Sequence, residues 1–137
     1  MNPVNVVYDP DCGFCRLCMA VLLRWDRQGR LRPAPLFSPD ADALLEGMPR
    51  ATQAASWHAI DERATVRSGG AAFAPVLEQL PRGKRLAALA RRFPRPLDLT
   101  YRWVADHRAL IGRFVPASAR EWANDVLGVS GPAPRSR

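Results

Sequence analysis

Near the N-terminus a short strand-like run gives way to a tight turn and then to two cysteines that open a helix, an order that few folds accommodate. Val4-Asn5-Val6-Val7-Tyr8 is β-branched and aromatic, and it stops at Asp9-Pro10-Asp11, which is turn chemistry. Cys12-Gly13-Phe14-Cys15 comes next. From Cys12 to about Arg27 there is no proline and no glycine after Gly13, while Cys15, Cys18, Leu22 and Trp25 recur at spacings of three, four and three. The spacing predicts a helix with these four on one face, closed by Gln28-Gly29.

A bare C-x-x-C is shared by zinc sites, iron–sulfur sites and redox dithiols, but at a strand-to-helix junction of an α/β chain it points to thiol-disulfide chemistry. A thiolate at a helix N-terminus meets unpaired backbone N–H groups and the positive end of the macrodipole, which lower its pKa from about 8.5. Arg16 follows Cys12 by four residues and is expected to add to this, whereas Asp9 and Asp11 oppose it. Cys12, nearest the turn, is the expected nucleophile. Cys15, one turn inside the helix, is the expected resolving thiol. Cys15 and Cys18 both lie within the helix, with Cβ atoms about 5–6 Å apart where a disulfide needs about 3.8 Å, so no Cys15–Cys18 bond is expected. Cys18 is expected as a small buried core residue beside Leu22 and Trp25.

Downstream, Arg30 to Phe37 can form only a short extended piece, because Pro33 and Pro35 suit a sheet edge. Ser38-Pro39 is a capped helix start, giving a helix to about Glu46. Ala55–Ile60 and Ala64–Arg67 flank Asp61-Glu62-Arg63 as a hairpin, Ser68-Gly69-Gly70 turns out of it, and Ala71–Leu80 reads as helical. After Pro81 the pattern is helical throughout: Lys84 to Phe93, Leu97 to His107, and a helix from a Ser118-Ala119-Arg120-Glu121 capping box to Gly128. The expectation is one domain over residues 1–130, an α/β unit (1–81) carrying a basic helical appendix (82–130), with 131–137 as a disordered tail.

Charge divides at the same place. Residues 1–81 hold eight Arg and nine acids, whereas 82–137 hold twelve basic residues and four acids, so the formal +7 arises entirely in the C-terminal part. All but one of the basic residues are Arg, a bias that suits a GC-rich coding genome as well as phosphate binding. Three cysteines are too few for a secreted disulfide scaffold, and no run of about 18 apolar residues or basic leader is present. A cytoplasmic location without a membrane span or signal peptide, and no membrane as a partner, is therefore expected.

At this point the motifs become familiar. Tyr8-Asp9-Pro10-Asp11-Cys12-Gly13-Phe14-Cys15 resembles the opening motif of the DCC family of thiol-disulfide oxidoreductases, named for its Asp-Cys-x-x-Cys pattern. Tyr101-Arg102-Trp103-Val104-Ala105-Asp106-His107-Arg108 is similar to that family's second motif, and Gly69-Gly70-Ala71 before a helix also matches. The resemblance spans about residues 4 to 115. It implies a thioredoxin-like fold, a small sheet flanked by helices with additional C-terminal helices, and Cys12 and Cys15 as the redox pair. Asp11 and Arg108 are implied as site neighbours, with Tyr101 and Arg102 in the second motif and Arg102 or Arg108 near the Cys12 thiolate. Pro10 stands where the family more often has glycine, and no proline occurs from Arg50 to Ile60, before the strand where thioredoxins carry a cis-proline.

Other signals point elsewhere. Cys12, Cys15 and Cys18 with His58 or His107 make a Cys₃His set, but no second ligand pair at zinc-site spacing follows, and no metal is expected. The Arg-rich helices, with Tyr101 and Trp103, allow a phosphate-binding face, yet Tyr101 and Val104 fall on an apolar helix side and nucleic acid is not expected as a partner. Trp57, Trp103 and Trp122 read most simply as core or helix-packing residues, and the histidines as surface or capped residues. The expected activity is thiol-disulfide exchange with a disulfide-containing protein or a small thiol such as glutathione, without a cofactor, since no Gly-rich nucleotide loop occurs. The alternative is a non-enzymatic binding protein with inert or zinc-holding cysteines and an Arg-rich helical face for nucleic acid or an acidic partner.

Overall fold

A computed structural model describes residues 3–128. Strand β1 (Val4–Tyr8) lies inside a four-stranded sheet of order β2-β1-β3-β4, with β2 (Leu31–Pro35) parallel to it and β3 (His58–Ile60) antiparallel. Strand β4 (Val66–Ser68) pairs antiparallel with β3 at the far edge. Proline explains the placement of β2. Pro33 and Pro35 have no N–H for a second neighbour, and β2 takes the edge that the sequence predicted.

Period-two alternation in β1 gives the sheet two buried faces. Val4, Val6 and Tyr8 point to one face with Met19, Ala72, Val76 and Leu80, and Val7 points to the other with Leu36, Ala41, Leu45 and Ile60. Helices α1 (Gly13–Trp25) and α4 (Phe73–Glu78) cover the first face. The second face is covered by α2 (Pro39–Leu44), capped by Ser38, and α3 (Arg50–Ala55). Then come α5 (Lys84–Arg92), α6 (Pro94–Asp106), α7 (Arg108–Arg113) and α8 (Ala117–Leu127). Of these, α7 and α8 pack on α1, and α6 packs on the 3-10 turn Gly69–Ala72. The architecture is thioredoxin-like α/β, a small mixed sheet flanked by helices with additional C-terminal helices.

Several boundaries differ from the sequence reading. Residues 50–55 form α3, so strand β3 starts at His58 rather than Ala55. Helix α6 begins at Pro94 instead of Leu97, because Pro94 and Pro96 fall in a first turn whose N–H groups have no intrahelical partner. Ser118 does not cap α8. The chain enters that helix from Pro116, which leaves Ser118 inside the first turn, but Gly128 ends it at φ +68°, as expected of a left-handed C-cap. No cis peptide bond occurs among the described residues. The expected tail 131–137 lies outside them.

Candidate active site

The site forms where β1 ends. After Tyr8 the Asp9 carboxylate accepts the Asp11 N–H (2.9 Å) and the Asp9 carbonyl accepts the Cys12 N–H (3.4 Å), so a tight turn delivers Cys12 to the start of α1. Cys12 is the N-cap, extended at φ −93° and ψ 114°, and its sulfur accepts the Cys15 N–H at 3.3 Å. A sulfur therefore occupies the place usually taken by a Ser or Asp oxygen.

The two thiols have opposite tendencies. A hydrogen bond from the Cys15 thiol is the largest influence on Cys12, and with the Cys15 N–H and the Arg108 charge it lowers the Cys12 pKa to about 6, against burial and Asp9. Cys15 is pushed far up by the same hydrogen bond, by burial and by the charge on Cys12. At neutral pH the proton belongs to Cys15 and the negative charge to Cys12. Cys18 is exposed rather than buried in the core, because Arg16, Met19 and Ala20 take the core-facing side of α1. The protein around its sulfur still raises its thiol to about 11. All three cysteines are free.

The cation acting on Cys12 comes from the far end of the chain. A Cβ on Gly70 would lie 2.7 Å from the Asp98 Cα, so only glycine lets α6 rest directly on this turn, and neighbouring Gly69 takes φ +61°. Seated there, Tyr101 accepts the Trp57 N–H with its hydroxyl (2.9 Å) and packs with Trp57 and Phe73. Burial raises the Tyr101 pKa. Two turns on, Arg108 donates to the Ala54 carbonyl (3.1 Å) and stands 3.8 Å from the Asp9 carboxylate. Arg108 is thus anchored on α3 with its charge beside the cysteines.

Of the residues singled out in the sequence, Asp9, Cys12, Cys15, Tyr101 and Arg108 are brought together. The others are not. Arg16 is buried against the sheet and its charge acts on Tyr8, whose pKa burial raises and Arg16 partly lowers. Arg102 is exposed and paired with Asp98 at 3.1 Å. Asp11 is exposed at the turn. Trp57 and the Ala54 carbonyl, which hold Tyr101 and Arg108, carried no local signal; the Gly69-Gly70 pair was the available clue.

A cleft of about 550 Å³ opens beside the cysteines, with Cys15, Cys18, Leu22 and Trp25 on its α1 wall and Leu97, Tyr101, Val104 and Arg108 opposite. Its walls are mostly apolar. His58, fully buried rather than on the surface, donates from Nε2 to the Gln53 carbonyl (2.9 Å) and accepts the Ser68 hydroxyl at Nδ1 (2.6 Å). Burial lowers its pKa. Among the described residues no three His, Cys, Asp or Glu side chains converge on a metal-sized position. Trp103 and Trp122 are exposed rather than packed in the core.

A family model described as DCC1-like thiol-disulfide oxidoreductase matches residues 6–114. No curated protein and no solved structure gives a match.

Proposed function

The chain belongs to the DCC1-like thiol-disulfide oxidoreductase family, and from that premise we propose that it carries out thiol-disulfide exchange through Cys12 and Cys15. The observation that supports this most is the divided protonation of the pair, a Cys12 sulfur lowered to about 6 beside a Cys15 thiol pushed up. The Cys12 thiolate attacks one sulfur of a substrate disulfide, and the other sulfur leaves as a thiolate that takes a proton from the medium. Cys15 then loses its proton and attacks Cys12. Its sulfur displaces the bound half of the substrate as a second thiol and closes a Cys12–Cys15 disulfide. Two electrons pass from the dithiol to the substrate, and a second thiol protein or a small thiol such as glutathione restores it. Forming the mixed disulfide removes the charge on Cys12, so Cys15 loses two of the influences that hold its proton, the anionic neighbour and the hydrogen bond to it.

Arg108 and Asp9 set the thiolate of Cys12 in opposite directions, and Tyr101 braces α6, the helix that leads into Arg108 at the start of α7. No helix among the described residues is long and apolar enough to cross a membrane. We place the reaction in the cytoplasm, where the dithiol form is maintained.

Insulin reduction and glutathione redox titration, with Cys12 alkylation followed against pH, test the reading. The expected result is a titratable two-electron couple, an alkylation inflection near 6 and loss of activity in Cys12→Ser. Full activity in Cys12→Ser, or no exchange with either substrate, overturns it.

A further inference from the structure

Helices α6 and α7 have a second apolar side that the dithiol chemistry does not use. Leu97, Tyr101, Val104 and Arg108 line the cleft. Away from the cleft, Leu99 and Trp103 lie four apart on α6, within about 40° of each other at 100° per residue, and Leu110 and Phe114 repeat that spacing on α7 and at its end. All four project into solvent, at 66%, 60%, 51% and 79% exposure. Trp103 stacks on His107, the one residue between the helices, and so brings the α6 pair up to the junction with α7. Arg95 and Arg102 recur along one edge of α6 and Arg113 ends α7, all exposed. Arg102 is paired with Asp98, whereas Arg95 and Arg113 have no ion pair among the described residues.

We propose that this ridge of Leu99, Trp103, Leu110 and Phe114, edged by Arg95 and Arg113, seats the protein on the surface of an anionic lipid bilayer. Aliphatic, tryptophan and phenylalanine side chains beside arginine are the composition of an interfacial helix, which lies in the headgroup region without spanning it. Charge selects the occupant. Residues 82–137 carry twelve basic residues against four acids, which disfavours a second copy of the same basic face and favours an anionic surface. Nucleic acid answers the arginines but leaves the aliphatic Leu99 and Leu110 without a role. The cytoplasmic leaflet has both the anionic headgroups and the acyl boundary. Because Arg108 and Tyr101 face the other side of the same helices, seating leaves the cleft and cysteines open to a disulfide presented near the membrane.

Co-sedimentation of the full chain with phosphatidylcholine vesicles, with and without phosphatidylserine, tests the proposal. The expected result is binding to the anionic vesicles only, weakened by salt, with a fluorescence blue shift that Trp103→Phe removes. Leu110→Ser/Phe114→Ser and Arg95→Gln/Arg113→Gln, each shown to be folded by circular dichroism, are expected to lose binding by about tenfold or more while the Cys12 alkylation profile is kept. Absence of binding to anionic vesicles at low salt overturns the proposal, as does undiminished binding by the Leu110→Ser/Phe114→Ser protein. It is equally overturned by capture of DNA or an acidic peptide without vesicle binding, or by a dimer that Leu110→Ser/Phe114→Ser dissolves without vesicle binding.

Discussion

Between Val4 and Leu80 the chain buries Val6, Val7, Met19, Leu45, Ile60 and Val76 almost completely, with Val21 and Phe37 its exposed large apolar residues. Beyond Pro81 the balance is reversed: Ala87, Val115 and Ala123 are buried, while Leu86, Leu89, Phe93, Leu99, Trp103, Leu110, Phe114 and Trp122 are exposed. The first region holds itself together by apolar burial on both faces of a sheet. The second is ordered by where it docks, on the Gly69–Ala72 turn and on α1, and its contribution to the site is Tyr101 and Arg108. The difference teaches that a helical segment with little core of its own can still add a charge beside a sulfur near the N-terminus, where the Cys15 hydrogen bond is the largest influence.

Substitutions in the two regions can break this contrast. Leu45→Ala empties a site that is 2% exposed and is expected to cost about 2–5 kcal/mol in chemical denaturation, the largest effect of the series. Gly70→Ala forces its Cβ onto the Asp98 backbone and should cost about 1–3 kcal/mol, with a parallel rise in the Cys12 pKa as Arg108 is displaced. A Gly70→Ala protein that keeps both its stability and its alkylation profile would show that α6 does not depend on this close approach. Arg108→Ala removes a cation that lowers the Cys12 pKa, so the alkylation inflection should move up from about 6 by about a unit or less. Its rate deficit is then greatest near pH 6 and vanishes by pH 9, where both proteins carry the thiolate. Asp9→Asn should shift the inflection the opposite way. Leu99→Ser, in the second region, is expected to change stability by no more than about 0.5 kcal/mol. A cost like that of Leu45→Ala would mean that Leu99 is covered in solution.

Local chemistry made the first part of the fold legible. Turn residues before Cys12, the Ser38 cap, the prolines of β2 and Gly128 act within a few residues of themselves, and each marks its element in the structure. Helix α3 was not read from the sequence: Arg50 to Ala54 carry no assignment there and Ala55 was read into the strand, and the partners of β3 and the anchoring of Arg108 show where the helix stops. Arg16 misled for a related reason. Four residues after Cys12 is close in sequence, but that side of α1 turns to the sheet, and the cation that acts on the thiolate lies 96 residues away. Such a pairing depends on how α6 docks, which the Gly69-Gly70 pair allows without specifying.

The capping role of Cys12 ties secondary structure to driving force. In the proposed exchange the atom that accepts the Cys15 N–H is the atom consumed, so that closing the disulfide would take an anion away from the positive end of α1. Under that proposal oxidation discards a favourable interaction that the dithiol form keeps, a bias that would make the disulfide a stronger electron acceptor than one formed from two thiols of ordinary acidity. The amide of Cys15 should register the change through faster hydrogen exchange in the disulfide form, an electrochemical state read from one backbone proton.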